Sequence, residues 1–211
     1  MIPISDLLLF MLAALAMVLT PGPNMMYLIS RSLIQGKKAG VISLAGVICG
    51  FSFHIVMVAF GLTAVLFTIP YAFVILKSAG VLYLLYIAYN AIKPGSKGVF
   101  QTRQELKIDG PYKLFMMGFL TNVLNPKMAV FYLSLFPQFI QPEAGNITLQ
   151  CFLLGTIQMT ISFAINYLII TGAAKAAGWF ARNPLWIKVQ KWVMASVLTF
   201  LAVKMALSKA K

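Results

Sequence analysis

Two short motifs interrupt long apolar runs and contain the residues best suited to bind a solute. They are Pro21-Gly22-Pro23-Asn24 and Asn125-Pro126-Lys127. A proline removes one helical N–H and clashes with the preceding turn, so a helix that reaches either motif is expected to break. Asparagine before proline is typical of a helix start, where free N–H groups attract anions. We therefore predict two half-helix ends that face a substrate carboxylate, with Lys127 adding a positive charge.

The same prolines are expected to free backbone carbonyl groups one turn earlier, around Leu19 and Asn122. Unwound carbonyls in transporters accept hydrogen bonds from an ammonium group or coordinate a cation. A zwitterion would suit such a site. The alternative is that each proline only kinks a membrane helix, but two breaks at matching positions favour the binding site.

His54 is the only histidine of the chain, and it follows Gly46 and Gly50 at intervals of four residues. This spacing puts the three residues on one helix face, where the glycines allow a second helix to approach closely. Two interpretations of His54 stay open. It is either a hydrogen-bonded histidine between helices or a protonatable group on the transport path, because imidazole titrates near neutral pH.

Two further polar features lie inside apolar runs. Lys77 falls within a predicted span, where a lysine either extends to the interface or faces a cavity. Gln158, Ser162 and Asn166 recur every four residues and give one helix a polar stripe. The stripe either lines a path or hydrogen-bonds neighbouring helices. We take Gln158 and Asn166, with His54 and Lys77, as candidates for the path or for ion coupling.

Other kinds of chemistry find little support in the sequence. All four acids lie at chain ends or in loops, so no buried carboxylate relay is expected: Asp6, Glu105, Asp109 and Glu143. We predict no enzyme activity, catalytic residue, cofactor or metal site. One rival function is a channel or metal-ion exporter of similar architecture, but it would need clusters of His, Cys or carboxylate side chains along the path, and the single histidine and the lack of a buried acid argue against a metal. Cys49 and Cys151 support a rival function as a transmembrane thiol/disulfide electron carrier, although neither has a basic neighbour that would activate it.

The elements that hold these motifs are predicted to be membrane helices. The chain has 211 residues, of which 61% are hydrophobic and only 10% charged, and a mean hydropathy of +0.89, so lipid is its expected solvent. An apolar helix of about 20 residues crosses a bilayer core of about 30 Å. About six apolar runs occur, at residues 4–34, 40–67, 71–92, 114–140, 148–171 and 192–207. The first and fourth are too long for one straight span, as expected if they break at the two motifs.

The broken runs also indicate a duplication. When the chain is shifted by about half its length, Gly22-Pro23 falls on Asn125-Pro126 and Gln35 falls on Gln138. Interrupted helices at corresponding positions of two halves are typical of transporters with inverted repeats. We therefore predict an all-α polytopic membrane protein of about six transmembrane helices in one transporter domain. Its parts are repeat 1 at about 1–92, a linker at about 93–113 and repeat 2 at about 114–211.

Positive charges predict the orientation of these helices. Most of the 17 Lys and Arg residues follow the first, third and fifth runs, whereas the loops near residues 69–70 and 141–147 contain none. Basic loops stay in the cytoplasm, so both termini are predicted on the periplasmic side of a bacterial inner membrane. The net charge of +13 is thereby explained without a nucleic-acid partner. Lys204, Lys209 and Lys211 oppose the predicted orientation of the last helix.

Taken together, these residues resemble a known family. The first half is similar to the N-terminal signature of the LysE/RhtB amino-acid exporter family in Thr20-Pro21-Gly22-Pro23-Asn24, Gly36, Lys37, Lys38, Gly40, Gly46, Gly50, His54 and Gly61, and further on in Leu76-Lys77, Gly80 and Tyr83-Leu84. The second half resembles the family's other hallmark in Gly118-Phe119-Leu120-Thr121-Asn122, Asn125-Pro126-Lys127 and Phe136-Pro137-Gln138-Phe139. The resemblance covers most of the chain. It implies secondary-active efflux of amino acids or close derivatives, driven by the membrane's electrochemical gradient.

One position departs from the family pattern. Members often carry an acidic residue just after the second glycine of the G-x-x-x-G pair, where this chain has Phe51. Without that charge the amine of a basic substrate lacks a partner, so neutral compounds similar to homoserine, threonine or leucine are favoured over lysine and arginine. The sequence leaves open whether a proton or another ion is coupled to transport and whether the chain forms a homo-oligomer.

Overall fold

The computed structural model describes residues 2–20, 22–68, 108–182 and 184–207, together with short stretches between residues 78 and 93. Within these ranges the chain is helical apart from short connections, and no residue lies in a β-strand. The longer helices are α1 (Ile4–Leu19), α2 (Pro23–Thr68), α3 (Pro111–Val123), α4 (Pro126–Val130), α5 (Ile147–Arg182) and α6 (Pro184–Leu207). A π turn (Phe131–Leu135) and two 3-10 turns (Phe136–Phe139 and Pro142–Ala144) connect α4 to α5. The predicted all-α class is confirmed.

Helix α1 ends where the first motif begins. Thr20 leaves the helical region, with φ −68° and ψ 123°, as expected of a residue before proline. Its hydroxyl and its backbone N–H both donate to the carbonyl of Ala16, at 2.7 and 3.0 Å. Helix α2 then begins at Pro23, and proline suits a first helical position because its missing N–H would have no helical partner there. Pro21 itself lies outside the described residues.

The second motif separates α3 from α4. Asn125 is extended, with φ −75° and ψ 111°, and its side-chain oxygen accepts a hydrogen bond from the Lys127 N–H at 3.0 Å. This N-cap, followed by a proline at the first helical position, explains why a new helix starts here. The helices Pro111–Val123 and Lys127–Phe139 are bent by 47° to each other.

A glycine divides α2 into two helical segments. Gly36 has φ 82° and ψ 175°, a conformation that residues with a Cβ rarely adopt. The break lies in the basic Gly36-Lys37-Lys38 segment, between the predicted first and second apolar runs. We refer to residues 23–35 as α2N and to residues 37–68 as α2C.

Two of the described helical stretches are long and apolar enough to cross a membrane: Pro23–Gly61, which includes the break at Gly36, and Ile147–Gly172. The bent pair around the second motif counts as a third span if its two helices cross together, and α1 is a shorter apolar helix. The predicted run at 71–92 and the linker at 93–113 lie largely outside the described residues, so six spans stay a prediction. Helix α6 begins at residue 184, earlier than the predicted run 192–207.

Helix α2 packs against both α3 and α5, while α1 packs against α5 and α6. Small residues bring α2C and α3 together, because a Cβ on Gly46 would overlap the Phe115 carbonyl oxygen. One turn further on, a Cβ on Gly50 would lie 2.6 Å from the Cβ of Asn122. This close contact sets the helix that carries His54 directly against the second motif.

The contact at Gly46 leads to a stability prediction. Gly46→Ala places a methyl group against backbone of α3, which cannot move aside as a side chain would, so we expect a loss of about 1–3 kcal/mol in the free energy of unfolding. Thermal unfolding of the purified protein in detergent measures this loss. Gly61→Ala is the matched control, since a Cβ there would meet no atom of the described residues within 4 Å. Equal unfolding temperatures for the two variants would contradict the close packing.

Candidate functional site

Lys127 joins the two interrupted motifs. Its ammonium group donates hydrogen bonds to the carbonyl of Met17 at 2.9 Å and to the carbonyl of Thr20 at 2.7 Å, both at the end of α1. The side chain passes Gly22, where a Cβ would lie 3.0 Å from Nζ. Lys127 is only 7% exposed. A cation from the second motif thus occupies the C-terminal end of the helix that the first motif interrupts.

The sequence explains why these carbonyls are available. The carbonyl of Met17 would be bonded in a continuous helix to the N–H of residue 21, but residue 21 is a proline and has none. The last carbonyls of a helix have no partner within it and carry partial negative charge. An ammonium group supplies both the missing hydrogen-bond donors and an opposite charge, and here that group belongs to Lys127.

His54 contacts a backbone carbonyl at the second motif. Its Nε2 lies 3.2 Å from the carbonyl oxygen of Asn122, which stands four residues before Pro126 and so lacks its usual helical donor. A carbonyl can only accept, so this contact requires a proton on Nε2. The imidazole also stacks on the ring of Tyr132, with centroids 5.2 Å apart and planes inclined by 10°. Tyr132 in turn donates to the side-chain oxygen of Gln158 at 2.7 Å.

Three buried asparagines beside the motifs have amide atoms without a hydrogen-bond partner among the described residues. These atoms are the oxygen of Asn24, both amide atoms of Asn122 and the nitrogen of Asn125. Asn122 and Asn125 are at most 1% exposed. A buried amide without a partner costs about 1–3 kcal/mol. The unfilled atoms include donors and acceptors, which is the set that a ligand with both a carboxylate and an ammonium group would satisfy.

A separate polar cluster ties α2N to the start of α3. The Arg31 guanidinium forms an ion pair with Asp109 at 2.7 Å, and Lys113 pairs with the other oxygen of Asp109 at 2.7 Å. Gln35 accepts from Arg31 at 3.0 Å and donates to the backbone carbonyl of Asp109 at 3.0 Å. The hydrogen bond from Lys113, with the added charge of Arg31, holds the pKa of Asp109 below its usual value. We call these four residues the Arg31 cluster.

The Arg31 cluster predicts a dependence of stability on pH. Because the pKa of Asp109 is lowered in the folded state from its usual 3.8, its ion pairs stabilise the fold above that value and lose this effect as the pH falls through the lowered one. Asp109→Asn should therefore unfold at a lower temperature than the unmodified protein at pH 7, and the difference should shrink on acidification below about pH 4. Glu143→Gln, at an exposed position, is the control. A difference that persists unchanged at low pH would contradict the assignment.

Comparison with known proteins identifies the family. The model of the LysE type translocator family matches residues 15–209. The chain belongs to the LysE type translocator family. The resemblance noted in the sequence is confirmed, and the chain is accordingly a membrane transport protein and not an enzyme.

Curated relatives of this translocator include leucine efflux proteins. Those of Salmonella choleraesuis (strain SC-B67) and Salmonella paratyphi A (strain ATCC 9150 / SARB42) are each 29% identical to it over 167 residues. The aligned part covers 78% of this chain and 77% of each relative. No solved structure matches the chain.

The translocator brings several of the sequence-predicted residues together. Gly22 and Lys127 are in contact, Asn125 caps the helix that contains Lys127, and His54 meets the second motif. Gln158 is linked to His54 through Tyr132, and Asn166 lies two turns further along α5, where its amide donates to the Ser162 carbonyl at 2.8 Å. Pro23 and Pro126 each occupy the first position of a helix. Lys77, like Pro21, lies outside the described residues.

Sequence reasoning missed Met17, Thr20 and Tyr132 at this site. A signal existed for Met17, because it stands four residues before Pro21, whereas the freed carbonyl was expected around Leu19. Tyr132 has no comparable signal, since it lies in a π turn whose position could not be deduced from the apolar pattern. A π turn next to a helix break is a common feature of functional sites.

The cysteines of the translocator occupy different environments. Cys151 is buried and Cys49 is exposed, and both are free thiols. Among the described residues, no group of three His, Cys, Asp or Glu side chains could hold a metal ion. No geometric feature of the described residues therefore favours the electron-carrier or metal-exporter alternatives.

Proposed function

We propose that this translocator exports amino acids or close derivatives from the cytoplasm by secondary-active transport. The proposed substrates are neutral compounds, similar to leucine, threonine or homoserine. The proposed site lies between the two interrupted motifs and comprises Pro21, Gly22, Pro23, Asn24, Asn125, Pro126 and Lys127. The leucine efflux proteins among its relatives support this substrate class.

The observation that carries the proposal is a set of amide atoms without hydrogen-bond partners among the described residues of the two motifs and Asn122, together with the buried lysine of the second motif. Asn122 and Asn125 offer N–H groups and Lys127 offers an ammonium group, which suit a carboxylate. The oxygens of Asn24 and Asn122 and the carbonyls at the end of α1 suit an ammonium group. An amino-acid zwitterion needs both kinds of partner at once, whereas a simple anion or cation would leave half of the set unfilled.

The surroundings of the site favour a neutral side chain on the substrate. Phe51, where an acidic residue is frequent in the family, is 2% exposed and lies in the apolar core. None of the four acids lies within Pro23–Gly61, Ile147–Gly172 or the bent pair around the second motif. A substrate with a cationic side chain would therefore meet no opposite charge in these segments and would pay for its desolvation.

The proposed architecture is about six transmembrane helices in two inverted three-helix halves, residues 1–92 and 114–211, in the bacterial inner membrane. Its support is a similarity between the two breaks. The carbonyl of Met17 lies four residues before Pro21 and that of Asn122 four residues before Pro126, and each is hydrogen-bonded to a cationic or ring N–H from elsewhere in the chain. The basic loops, the linker at 93–113 included, are proposed to be cytoplasmic and both termini periplasmic. His54, Gln158, Asn166 and Lys77 are proposed to lie on the path or to contribute to ion coupling.

Reconstituted transport tests this function. Proteoliposomes that contain the purified protein are loaded with each radiolabelled amino acid in turn. Release of the label is followed with and without an imposed proton gradient. We expect leucine or another neutral amino acid to leave the vesicles faster than from protein-free vesicles, and lysine and arginine to leave no faster. If no amino acid leaves faster than from protein-free vesicles, the proposed function is wrong.

A further inference from the structure

The ammonium group of Lys127 is bound in the way that a substrate ammonium group would be bound. It donates to two carbonyls at the end of α1, at 2.9 and 2.7 Å, and it is enclosed by the protein. Gly22 leaves room for it, since any larger residue there would press on Nζ. These carbonyls accept from two of the three N–H groups of a primary ammonium group, and the protein supplies that group from its own side chain.

The partners for a carboxylate, in contrast, are unfilled. The side-chain nitrogens of Asn122 and Asn125 are buried and have no hydrogen-bond acceptor in the part of the chain that the structure describes. Asn125 stands two residues before Lys127 and at the N-cap of the same helix. The Lys127 ammonium group is therefore hydrogen-bonded, whereas these two amide nitrogens have no acceptor among the described residues.

We propose that the carbonyls of Met17 and Thr20 are the ammonium subsite of the translocator and that Lys127 blocks this subsite until a zwitterion exchanges with it. The substrate ammonium takes the two carbonyls, and the released Lys127 ammonium pairs with the substrate carboxylate. This inference rests on the proposed amino-acid export. It adds that Lys127 selects for ligands that carry both charged groups.

Charge balance explains the selection. The exchange replaces one ammonium group by another at the carbonyls and gives the displaced lysine a carboxylate, so every buried charge keeps a partner. An amine without a carboxylate would take the two carbonyls from Lys127 and give it no anion in return, and a buried charge without any partner is strongly unfavourable. An N-acylated amino acid has no ammonium group and would leave Lys127 bound to the carbonyls. Its carboxylate would then have no cationic partner.

A ligand series tests the exchange on the purified protein in detergent. The probes are leucine, N-acetyl-leucine and isoamylamine, which is leucine without its carboxylate, and binding is measured by calorimetry. For the unmodified protein we expect both analogues to bind at least about tenfold more weakly than leucine, because each loses a charge-assisted hydrogen-bonded pair. Lys127→Met removes the competing ammonium group, so isoamylamine should bind this variant at least about tenfold more tightly than the unmodified protein. N-acetyl-leucine should bind Lys127→Met no more tightly than it binds the unmodified protein.

Lys188→Met is the matched control, since Lys188 is exposed on α6, and it should behave as the unmodified protein. If Lys127→Met does not fold, the ligand series on the unmodified protein still decides, and Lys127→Arg, which keeps a cation at the carbonyls, should continue to exclude isoamylamine. If the protein exports amino acids but binds N-acetyl-leucine or isoamylamine as tightly as leucine, the exchange is wrong and the proposed function stands. Failure to transport any amino acid would overturn both.

Discussion

Lys127→Ala is expected to reduce amino-acid efflux to about a tenth or less of that of the unmodified protein. The substitution removes the cation proposed to bind the substrate carboxylate, and hydrogen bonds to charged groups contribute about 1.5–3 kcal/mol each. A loss of about 1.4 kcal/mol corresponds to a factor of ten in an equilibrium constant. It also leaves the Met17 and Thr20 carbonyls without their present donor, so the unfolding temperature should fall as well. Initial efflux rates from proteoliposomes, normalised to folded protein, measure the first effect.

The control for this variant is Lys188→Ala, which removes the same charge from an exposed position on α6. It should leave efflux and the unfolding temperature unchanged. Lys127→Arg separates charge from shape, since it keeps the cation but replaces a compact ammonium group with a wider planar one, and we expect it to restore stability more fully than efflux. Normal efflux from folded Lys127→Ala would show that Lys127 serves only to close the end of α1.

Asn122→Leu is expected to change efflux and stability in opposite directions. The amide of Asn122 is fully buried without a hydrogen-bond partner among the described residues, and replacing such a group by an apolar one of similar shape is neutral or stabilising, by about 1–3 kcal/mol. The same change removes a donor and an acceptor that we propose for the substrate, so efflux should fall about tenfold or more. Thermal unfolding in detergent and efflux from proteoliposomes measure the two effects on the same preparation.

Asn146→Ala is the control for Asn122→Leu, because it should lower stability and leave efflux unchanged. Asn146 is exposed, and its side-chain oxygen accepts from the Leu149 N–H at 3.0 Å near the start of α5. Loss of such a cap costs about 1 kcal/mol, so this variant should be less stable and yet keep its efflux. If Asn122→Leu is markedly destabilised, or if it exports normally, the unpaired amide is a packing feature and has no role in binding the substrate.

The sequence was sufficient to predict the helical class, because helix formation depends on local chemistry. Helix α1 ends at Leu19, just before the first proline motif, and Pro23 starts α2. The Asn125-Pro126 pair starts α4, and both effects need only the residues of the motif. The division of α2 at Gly36 is of the same kind, since the glycine is followed by two lysines. The third predicted run contributes nothing to this comparison, because it lies largely outside the described residues.

The partners of the freed groups could not be predicted, because they come from distant parts of the chain. Lys127 was expected to face a substrate, but in the described state it binds carbonyls 110 and 107 residues away. The contact of His54 with Asn122 joins residues that are 68 apart. Nothing in a motif specifies which freed carbonyl a given cation will reach, since that depends on how the helices pack. The same reason hid Tyr132, whose position follows from a π turn.

These distant contacts are reciprocal, which has a consequence for how the protein is made. The end of α1, in the first half of the chain, is completed by Lys127 from the second half. The Asn122 carbonyl at the end of α3, in the second half, accepts from the local Asn125 N–H and contacts His54 from the first half. During synthesis, the Met17 and Thr20 carbonyls thus stay without this partner until residue 127 has been made. The first half produced alone would lack the ammonium group that closes the end of α1, so two halves expressed as separate chains would have to associate before the first reached its final stability.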